Sequence, residues 1–327
     1  MNILFNSKNL NPDHDGRAFV LTAFVASDDI TRIFDKQSKG HIHSVFNTSF
    51  NLAFGDHLVH VGAVGNGVAP FGIGMEQGQA TLLTKLLAVN SDVYWDERSV
   101  SLIFPKGIIL SLDRVNWTNH KVQQAHYELM RLEENFTILA NTLMQADWQI
   151  GLAQSEEEKK RFIQYVLNPS SSTTKDFPVI DELERLQNLA FNEESTDAEK
   201  VFDYWIGRGL GLTPSGDDCI TGICAVFSAL EGTNQAFIHQ LQSYLVERGR
   251  KRTTHIALEY LLYATENKFH SHLLNVCNAL GKRPVTEFSK AIEEMKGIGH
   301  TSGADTLVGI LIGIKAVVMH KKKGDYY

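Results

Sequence analysis

From His41 to about Val115 the chain alternates apolar and polar residues or runs in short apolar blocks. Ile42-His43-Ser44-Val45-Phe46, Ser49-Phe50-Asn51-Leu52-Ala53-Phe54, Leu58-Val59-His60-Val61, Val100-Ser101-Leu102-Ile103-Phe104 and Ile108-Ile109-Leu110-Ser111-Leu112 each read as a strand. Gly55-Asp56 and Pro105-Lys106-Gly107 lie between consecutive runs and predict hairpin turns. Gly62 to Gly78 is glycine-rich around Pro70-Phe71-Gly72-Ile73-Gly74, which fits either a tight β corner or a ligand-facing loop. Residues 1 to about 40 hold an apolar segment, Phe19 to Val25, without a pattern that assigns it.

After Asn119 the period changes to three and four. Gln123–Met144 carries Leu129, Leu132, Phe136, Leu139 and Leu143 on one face, and Glu156–Leu167 is a second amphipathic stretch. A Ser/Thr-rich loop at 168–174 follows. Helices are then expected over 180–191, 198–206, 219–230, 236–248, 254–265, 269–280, 285–296 and about 304–320. The fold class read from this pattern is α+β. An N-terminal antiparallel β domain, a small barrel or sandwich over 1–118, precedes a helical bundle over 119–327.

Two segments interrupt the helical half. Gly207-Arg208-Gly209-Leu210-Gly211-Leu212-Thr213-Pro214-Ser215-Gly216-Asp217-Asp218 opens one apolar stretch, and Gly297-Ile298-Gly299-His300-Thr301-Ser302-Gly303-Ala304-Asp305 opens another. Both end in Ser-Gly-x-Asp and continue to Gly-Ile, at Gly222-Ile223 and Gly309-Ile310, so they read as matched loop-to-helix turns. A helix start offers unpaired amides and the positive end of a dipole, a natural seat for phosphate or carboxylate. Ser215-x-x-Asp218 and Ser302-x-x-Asp305 also fit capping boxes, which would explain the Ser and Asp without a ligand. Gly222, with Gly309 and Gly313, would let the two helices pack closely and bring both turns to one end.

The side chains in these turns suggest chemistry. Asp217, Asp218 and Asp305 are hard oxygen donors suited to Mg²⁺, Asp217 and Asp218 above all, and they are equally suited to anchor the turns by hydrogen bonds. His300 is the general acid or base candidate. Gly209, Gly211, Gly216 and Gly303 would let an anion approach the backbone, with Thr213, Ser215, Thr301 and Ser302 donating to its oxygens. Arg250-Lys251-Arg252-Thr253-Thr254 reads as a basic helix start, unfavourable unless an anion sits nearby, which makes Arg252, Thr253 and Thr254 substrate candidates. His41-x-His43 and His57-x-x-His60 lack a third ligand at metal spacing.

Composition narrows the classes. The chain has 327 residues, 43% hydrophobic and 21% charged, with a net charge of −7. No basic face precedes Lys321-Lys322-Lys323, which argues against nucleic acid as a partner. Three cysteines without metal spacing suit a reducing compartment; Cys219 and Cys224 read as buried small hydrophobes. The longest apolar run, Leu307 to Met319, contains Lys315 and is short for a bilayer, so no membrane partner is expected. Met1-Asn2-Ile3-Leu4-Phe5-Asn6 lacks the features of a signal peptide, and a cytoplasmic protein is expected.

The segment Gly209 to Asp218, then Thr253-Thr254, then Gly299 to Asp305 with Gly309, resembles the AllH family. The β half resembles it through His43-Ser44-Val45-Phe46 and Pro70-Phe71-Gly72-Ile73-Gly74. The resemblance implies a subunit of an oxamate carbamoyltransferase, converting oxalurate and phosphate to oxamate and carbamoyl phosphate in allantoin and purine breakdown. It also implies a partner subunit of the FdrA type and a small anionic metabolite (phosphate, carbamoyl phosphate or a ureido acid) as ligand. The Ser-Thr-Arg-Thr phosphate loop of aspartate and ornithine carbamoyltransferases is absent, so this activity would rest on a different site. A non-catalytic metabolite-binding or scaffold subunit, and a stand-alone phosphate-ester or nucleotide enzyme using Mg²⁺, are the alternatives from the residues alone.

Overall fold

The computed structural model describes residues 18–168, 178–192, 196–281 and 284–324. The expected 168–174 loop therefore falls almost wholly outside the described residues. The chain divides into two compact units, Met1–Asn119 and His120–Tyr327.

The first unit is a barrel-like sheet. Its strands are β1 (Phe19–Ser27), β2 (Lys39–Val45), β3 (Ser49–Phe54), β4 (His57–Ala63), β5 (Gly72–Met75), β6 (Asp92–Asp96), β7 (Ser101–Phe104), β8 (Ile108–Ser111) and β9 (Asn116–Thr118). They order as β5-β4-β3-β2-β6-β7-β8-β1-β9, and β1 also pairs β5, which closes the ring. The expected hairpins β3–β4 and β7–β8 pair antiparallel, as do β2–β3, β2–β6, β6–β7 and β1–β5. The sheet also has parallel pairings, β1–β8, β1–β9 and β4–β5. Each of these joins strands that no tight turn connects, so the turn residues give no sign of them.

The unassigned N-terminal stretch supplies β1, whose first half pairs β8 and whose second half pairs β9. Leu21 and Ala23 point into the barrel and Val20, Thr22 and Phe24 point out, as a strand's two-residue period requires. Inside, Phe50, Leu52, Val59, Val61, Ile73, Met75, Leu102, Phe104 and Leu110 form one buried cluster. α1 (Ile30–Lys36) buries Ile30, Ile33 and Phe34 against it, and Phe34 stacks on Trp95 at 4.3 Å. α2 (Gln77–Leu86) starts on Glu76, whose carboxylate accepts the amides of Gly78 and Gln79.

The second unit is helical: α3 (Leu129–Leu143), α4 (Glu156–Leu167), α5 (Pro178–Ala190), α6 (Ala198–Trp205), α7 (Ser215–Ala229), α8 (Gln235–Tyr244), α9 (Arg250–Arg252), α10 (His255–Thr265), α11 (Ser271–Ala279), α12 (Val285–Met295) and α13 (Ser302–Gly324). α3 begins six residues later than the periodicity suggests. The residues before it are held extended, with the amide of Val122 on the Asn267 carbonyl and that of Ala125 on the Ala229 carbonyl. α7 and α13 are buried on nearly every face through their first four turns, which makes them the centre of the bundle. α13 is longer than its apolar run. Among the described residues it is the helix long and apolar enough to cross a membrane, but 83% of that stretch is buried in the protein, as in a core helix. Lys315 sits inside it with Nζ donating to Gln187 Oε1 at 3.0 Å and to the Val166 carbonyl, and burial lowers its pKa to about 8.

Two glycines let the central helices touch. A Cβ on Gly222 would lie 2.0 Å from the Thr306 carbonyl oxygen and 3.0 Å from Gly309 Cα. One on Gly309 would lie 1.9 Å from the Cys219 carbonyl oxygen and 3.0 Å from Gly222 Cα. The contacts are reciprocal, because Thr306 precedes Gly309 as Cys219 precedes Gly222, so the helices run parallel about a local two-fold.

Elsewhere in a helix Gly→Ala favours the helix by about 1 kcal/mol. Here Gly222→Ala or Gly309→Ala is expected to cost at least ~3 kcal/mol, because backbone must move to admit the methyl. Gly65→Ala, where an added Cβ meets nothing within 4 Å, is the control, expected within about 0.5 kcal/mol of the parent in urea unfolding.

Candidate functional site

Parallel packing puts the starts of α7 and α13 side by side. Thr213 Oγ1 and Ser302 Oγ are 2.8 Å apart, joining the two turns directly. Within each turn a second glycine admits the end of the preceding helix. A Cβ on Gly216 would lie 2.0 Å from the Trp205 carbonyl oxygen, and one on Gly303 1.9 Å from that of Met295. Gly216 and Gly303 are therefore buried packing positions, and the expected approach of an anion to them is not available. Gly209 and Gly211 lie in an exposed loop that ends at Thr213, with Leu210 95% exposed between them. Gly209 has φ +121°, and a Cβ there would meet the Ser215 nitrogen at 2.6 Å, so only glycine fits.

The helix-start amides differ from expectation as well. The amide of Gly216 donates to the Arg208 carbonyl at 2.8 Å, and those of Asp217 and Asp218 donate to Pro214 at 2.9 and 3.1 Å. Gly303 donates to Ile298 at 3.0 Å and Asp305 to Thr301 at 2.8 Å. These five donors are used by the turns themselves, which folds the chain tightly and leaves none of them for a ligand. The capping-box reading of Ser215 also gives way, because Pro214 occupies the N-cap with no side-chain cap bond. The Ser215 hydroxyl instead faces Asp305 and the Ser302 hydroxyl faces Asp218, each serving the opposite helix.

The three aspartates separate by environment. Asp217 accepts the Gly207 amide at 2.8 Å on Oδ1 and the Thr253 hydroxyl on Oδ2. Both oxygens are committed, so Asp217 is a loop anchor and a poor Mg²⁺ donor. Asp305 is fully buried and accepts the Gly151 amide at 2.9 Å on Oδ1, while Oδ2 is enclosed with no hydrogen bond of good geometry. Asp218 lies one helical turn before Gly222, as Asp305 lies before Gly309, so the helix contact sets the two carboxyls against each other. Asp218 as a residue is half-buried, yet its Oδ2 is enclosed without a partner. Among the described residues no cation ion-pairs with any of the three, and no group of three or more His, Cys, Asp or Glu is arranged to hold a metal.

Enclosed carboxylates without a counter-cation favour their neutral form. Burial lifts Asp217 and Asp305 to about 6, against the pull of Thr253 and Gly207 on the first and of Ser215, Thr301 and the 151–152 amides on the second. Asp218 is raised well above the ordinary carboxylate range, by burial first and then by the Asp305 charge, with Ser302 and Thr213 opposing. Both members are thereby biased toward the neutral form, Asp218 more strongly than Asp305. Burial and the Asp218 charge likewise push the Tyr260 phenol up, and burial lifts the Cys219 thiol and leaves it inert.

Other expected residues sit differently. His300 is exposed in the second turn, at the place Thr213 holds in the first, and makes no hydrogen bond or ion pair among the described residues. Thr301 faces Asp305. Thr254 caps α10 through the Ala257 amide at 3.1 Å and donates to the Leu212 carbonyl. Arg252 is tied to Asp203 through its carbonyl and carboxylate. The basic cluster closes the α8–α9 run and does not open a helix, so its charge suits the local dipole and no longer implies an anion. Sequence reasoning missed Gly151, a single glycine in a loop with no motif; a Cβ there would lie 2.2 Å from Ser215 Oγ and 3.1 Å from Asp305 Oδ2.

Folding lifts Asp217 and Asp305 from 3.8 to about 6, so the native state holds more protons than the unfolded chain between those values. Their contribution to stability is highest below pH ~4, falls as pH rises to about 6 and is flat above. Asp305→Asn, which keeps an acceptor for Gly151, is expected to reduce that fall by on the order of 2–3 kcal/mol, read as the difference in urea-unfolding free energy between about pH 4 and 7.

Comparison with known proteins adds an identity to this geometry. Residues 205–314, which contain both turns, α7 and the first part of α13 with Gly309, match the family described as oxamate carbamoyltransferase subunit AllH. Residues 22–122, the barrel, match the AllH family N-terminal domain. No solved structure matches the chain. With both of its units matched in order over most of their length, the chain belongs to the AllH family.

Proposed function

We propose that this chain is the substrate-handling subunit of an oxamate carbamoyltransferase-type assembly, acting on oxalurate and phosphate in allantoin and purine breakdown, with an FdrA-like partner in the cytoplasm. The family description supports a carbamoyltransferase-related role and a complex with other subunits. The observation that carries the finer reading is the enclosed Asp218–Asp305 pair, which among the described residues has no counter-cation and is biased toward its neutral form.

Carbamoyl transfer to phosphate places negative charge on the ureido carbonyl oxygen as phosphate attacks its carbon; the bond from that carbon to the oxamate nitrogen then breaks, and a proton of the attacking hydrogen phosphate passes to the departing nitrogen. A neutral carboxyl is a hydrogen-bond donor there, and Asp218 fills that role. Its advantage is greatest away from water, where a preorganised donor needs no reorientation. Asp305, held by Gly151, keeps the proton on Asp218 through its own charge. Thr213, Ser215, Thr301 and Ser302 surround the pair with hydroxyls that orient substrate oxygens. Exposed His300 contacts the substrate's carboxylate at the rim, with Gly209 and Gly211 beside it in the open loop. Asp217 and Thr253 hold that loop in place.

A second reading, a non-catalytic metabolite-binding or scaffold subunit, is favoured by the internal use of the helix-start amides and by the anchoring roles of Asp217 and Asp305. The two separate in the reconstituted complex. Asp218→Ala is expected to lower kcat by roughly 10²–10³-fold with little change in KM and with assembly intact, while Asp218→Asn, still a donor, retains more activity. His300→Ala is expected to raise KM more than it lowers kcat. Loss of assembly with Asp218→Ala, or unchanged turnover, would favour the scaffold reading.

A further inference from the structure

The barrel carries a polar row that the helical site does not use. Ser44, Asn51 and His60 are directly paired neighbours on β2, β3 and β4. The residues on either side, Phe50 and Leu52 on β3 and Val59 and Val61 on β4, point into the core, so the row lies on the opposite face of the sheet. Asn51 is nonetheless 1% exposed. His60 Nδ1 is 2.9 Å from Asn51 Oδ1, Asn51 Nδ2 is 3.0 Å from Ser44 Oγ, and Ser44 Oγ is 3.1 Å from His43 Nδ1. Adjacent strand residues normally point to opposite faces. A register shift between Ile42 and Ser44 makes His43 a bulged residue and lets its ring reach the Ser44 hydroxyl.

The donor inventory gives this chain a direction. Burial lowers the His60 pKa to about 4, so its ring is neutral. Asn51 Oδ1 can only accept, so His60 Nδ1 carries the proton and donates. Asn51 Nδ2 then donates to Ser44 Oγ. Ser44 Oγ keeps one hydrogen to donate, and His43 Nδ1, 3.1 Å away, accepts it in the tautomer that carries the ring proton on Nε2. A Cβ on Gly62 would lie 2.9 Å from His60 Nε2, so the glycine leaves room for this ring. Ser44 and His43 at one end of the row and His60 at the other are half-buried, while Asn51 between them is enclosed. A serine within hydrogen-bond reach of an imidazole nitrogen, whose oxygen also receives an amide N–H, has the parts of an activated nucleophile.

We infer that Ser44 is a nucleophile served by His43, with Asn51 and His60 as positioning residues, and that it accepts acyl or carbamoyl groups from activated esters or mixed phosphate anhydrides. Ser44 Oγ bonds to the carbonyl carbon as its proton passes to His43 Nδ1. The bond from that carbon to the leaving oxygen breaks, and the electron pair departs with the phenolate or phosphate. Water then adds to the ester carbon and gives up one proton to solvent, the carbon–Oγ bond breaks, and the proton on His43 returns to Oγ. This centre lies in the N-terminal unit and stands whether or not the aspartate pair performs carbamoyl transfer.

The test uses the intact chain with two probes, p-nitrophenyl acetate and a fluorophosphonate, read by nitrophenolate release and by peptide mass spectrometry. One adduct on Ser44 is expected in the parent, none in Ser44→Ala, and labelling slower by at least ~100-fold in His43→Ala, the usual contribution of a positioned base. His43→Gln, which keeps a polar side chain at the bulge, should be as slow, and circular dichroism confirms that each variant is folded. Absence of an adduct on Ser44 in the folded parent overturns the inference, as does equal labelling in the parent and both His43 variants.

Discussion

The backbone contact between α7 and α13 at Gly222 and Gly309 is the constraint on which the helical unit depends. No side chain intervenes, because a Cβ on either glycine would overlap a carbonyl oxygen of the other helix. Two helices that touch so closely and in parallel must begin together, and the residues one turn before the contact must face each other. The adjacency of the two Ser-Gly-x-Asp turns, the Thr213–Ser302 hydrogen bond and the opposition of Asp218 to Asp305 all follow from it.

That opposition concentrates carboxyl groups where solvation is poor and no cation compensates them. The protein offsets the cost by hydrogen bonds and by shifting the carboxyls toward their neutral forms. Asp217 is fully engaged by Gly207 and Thr253 and organises the approach loop. Asp305 is half-engaged by Gly151. Asp218 has the least compensation and the strongest preference for its neutral form. Packing, loop order and candidate chemistry are linked by one helix crossing, and the family match spans the segment that contains it.

Much of this was legible in the chain. β3 and α4 were readable to the residue or nearly so, because their apolar periods are local. β1 was not, since its partners β5, β8 and β9 lie far along the chain and no turn residue marks parallel pairing. The two turns were legible from glycine, serine and aspartate spacing, and so was their meeting through Gly222 and Gly309. Their hydrogen bonding was not. No pattern shows that the Arg208 and Pro214 carbonyls turn back to take the helix-start amides, or that Ser215 and Ser302 serve the opposite helix. Arg252 was misplaced because the helix boundary was, and moving it from a start to an end reversed the meaning of its charge. Gly151 carries no signal beyond being a glycine.

The central claim, that Asp218 and Asp305 form a buried pair biased toward the neutral form, Asp218 the more strongly, is tested most directly by following aspartate ¹³Cγ shifts through a pH titration, with Asp218→Asn and Asp305→Asn as assignments. The account predicts that Asp305 titrates near 6 and Asp218 higher, and that Asp305→Asn brings Asp218 down by removing the facing charge. Titration of both groups below about 5, within the range of ordinary exposed aspartates, would contradict it.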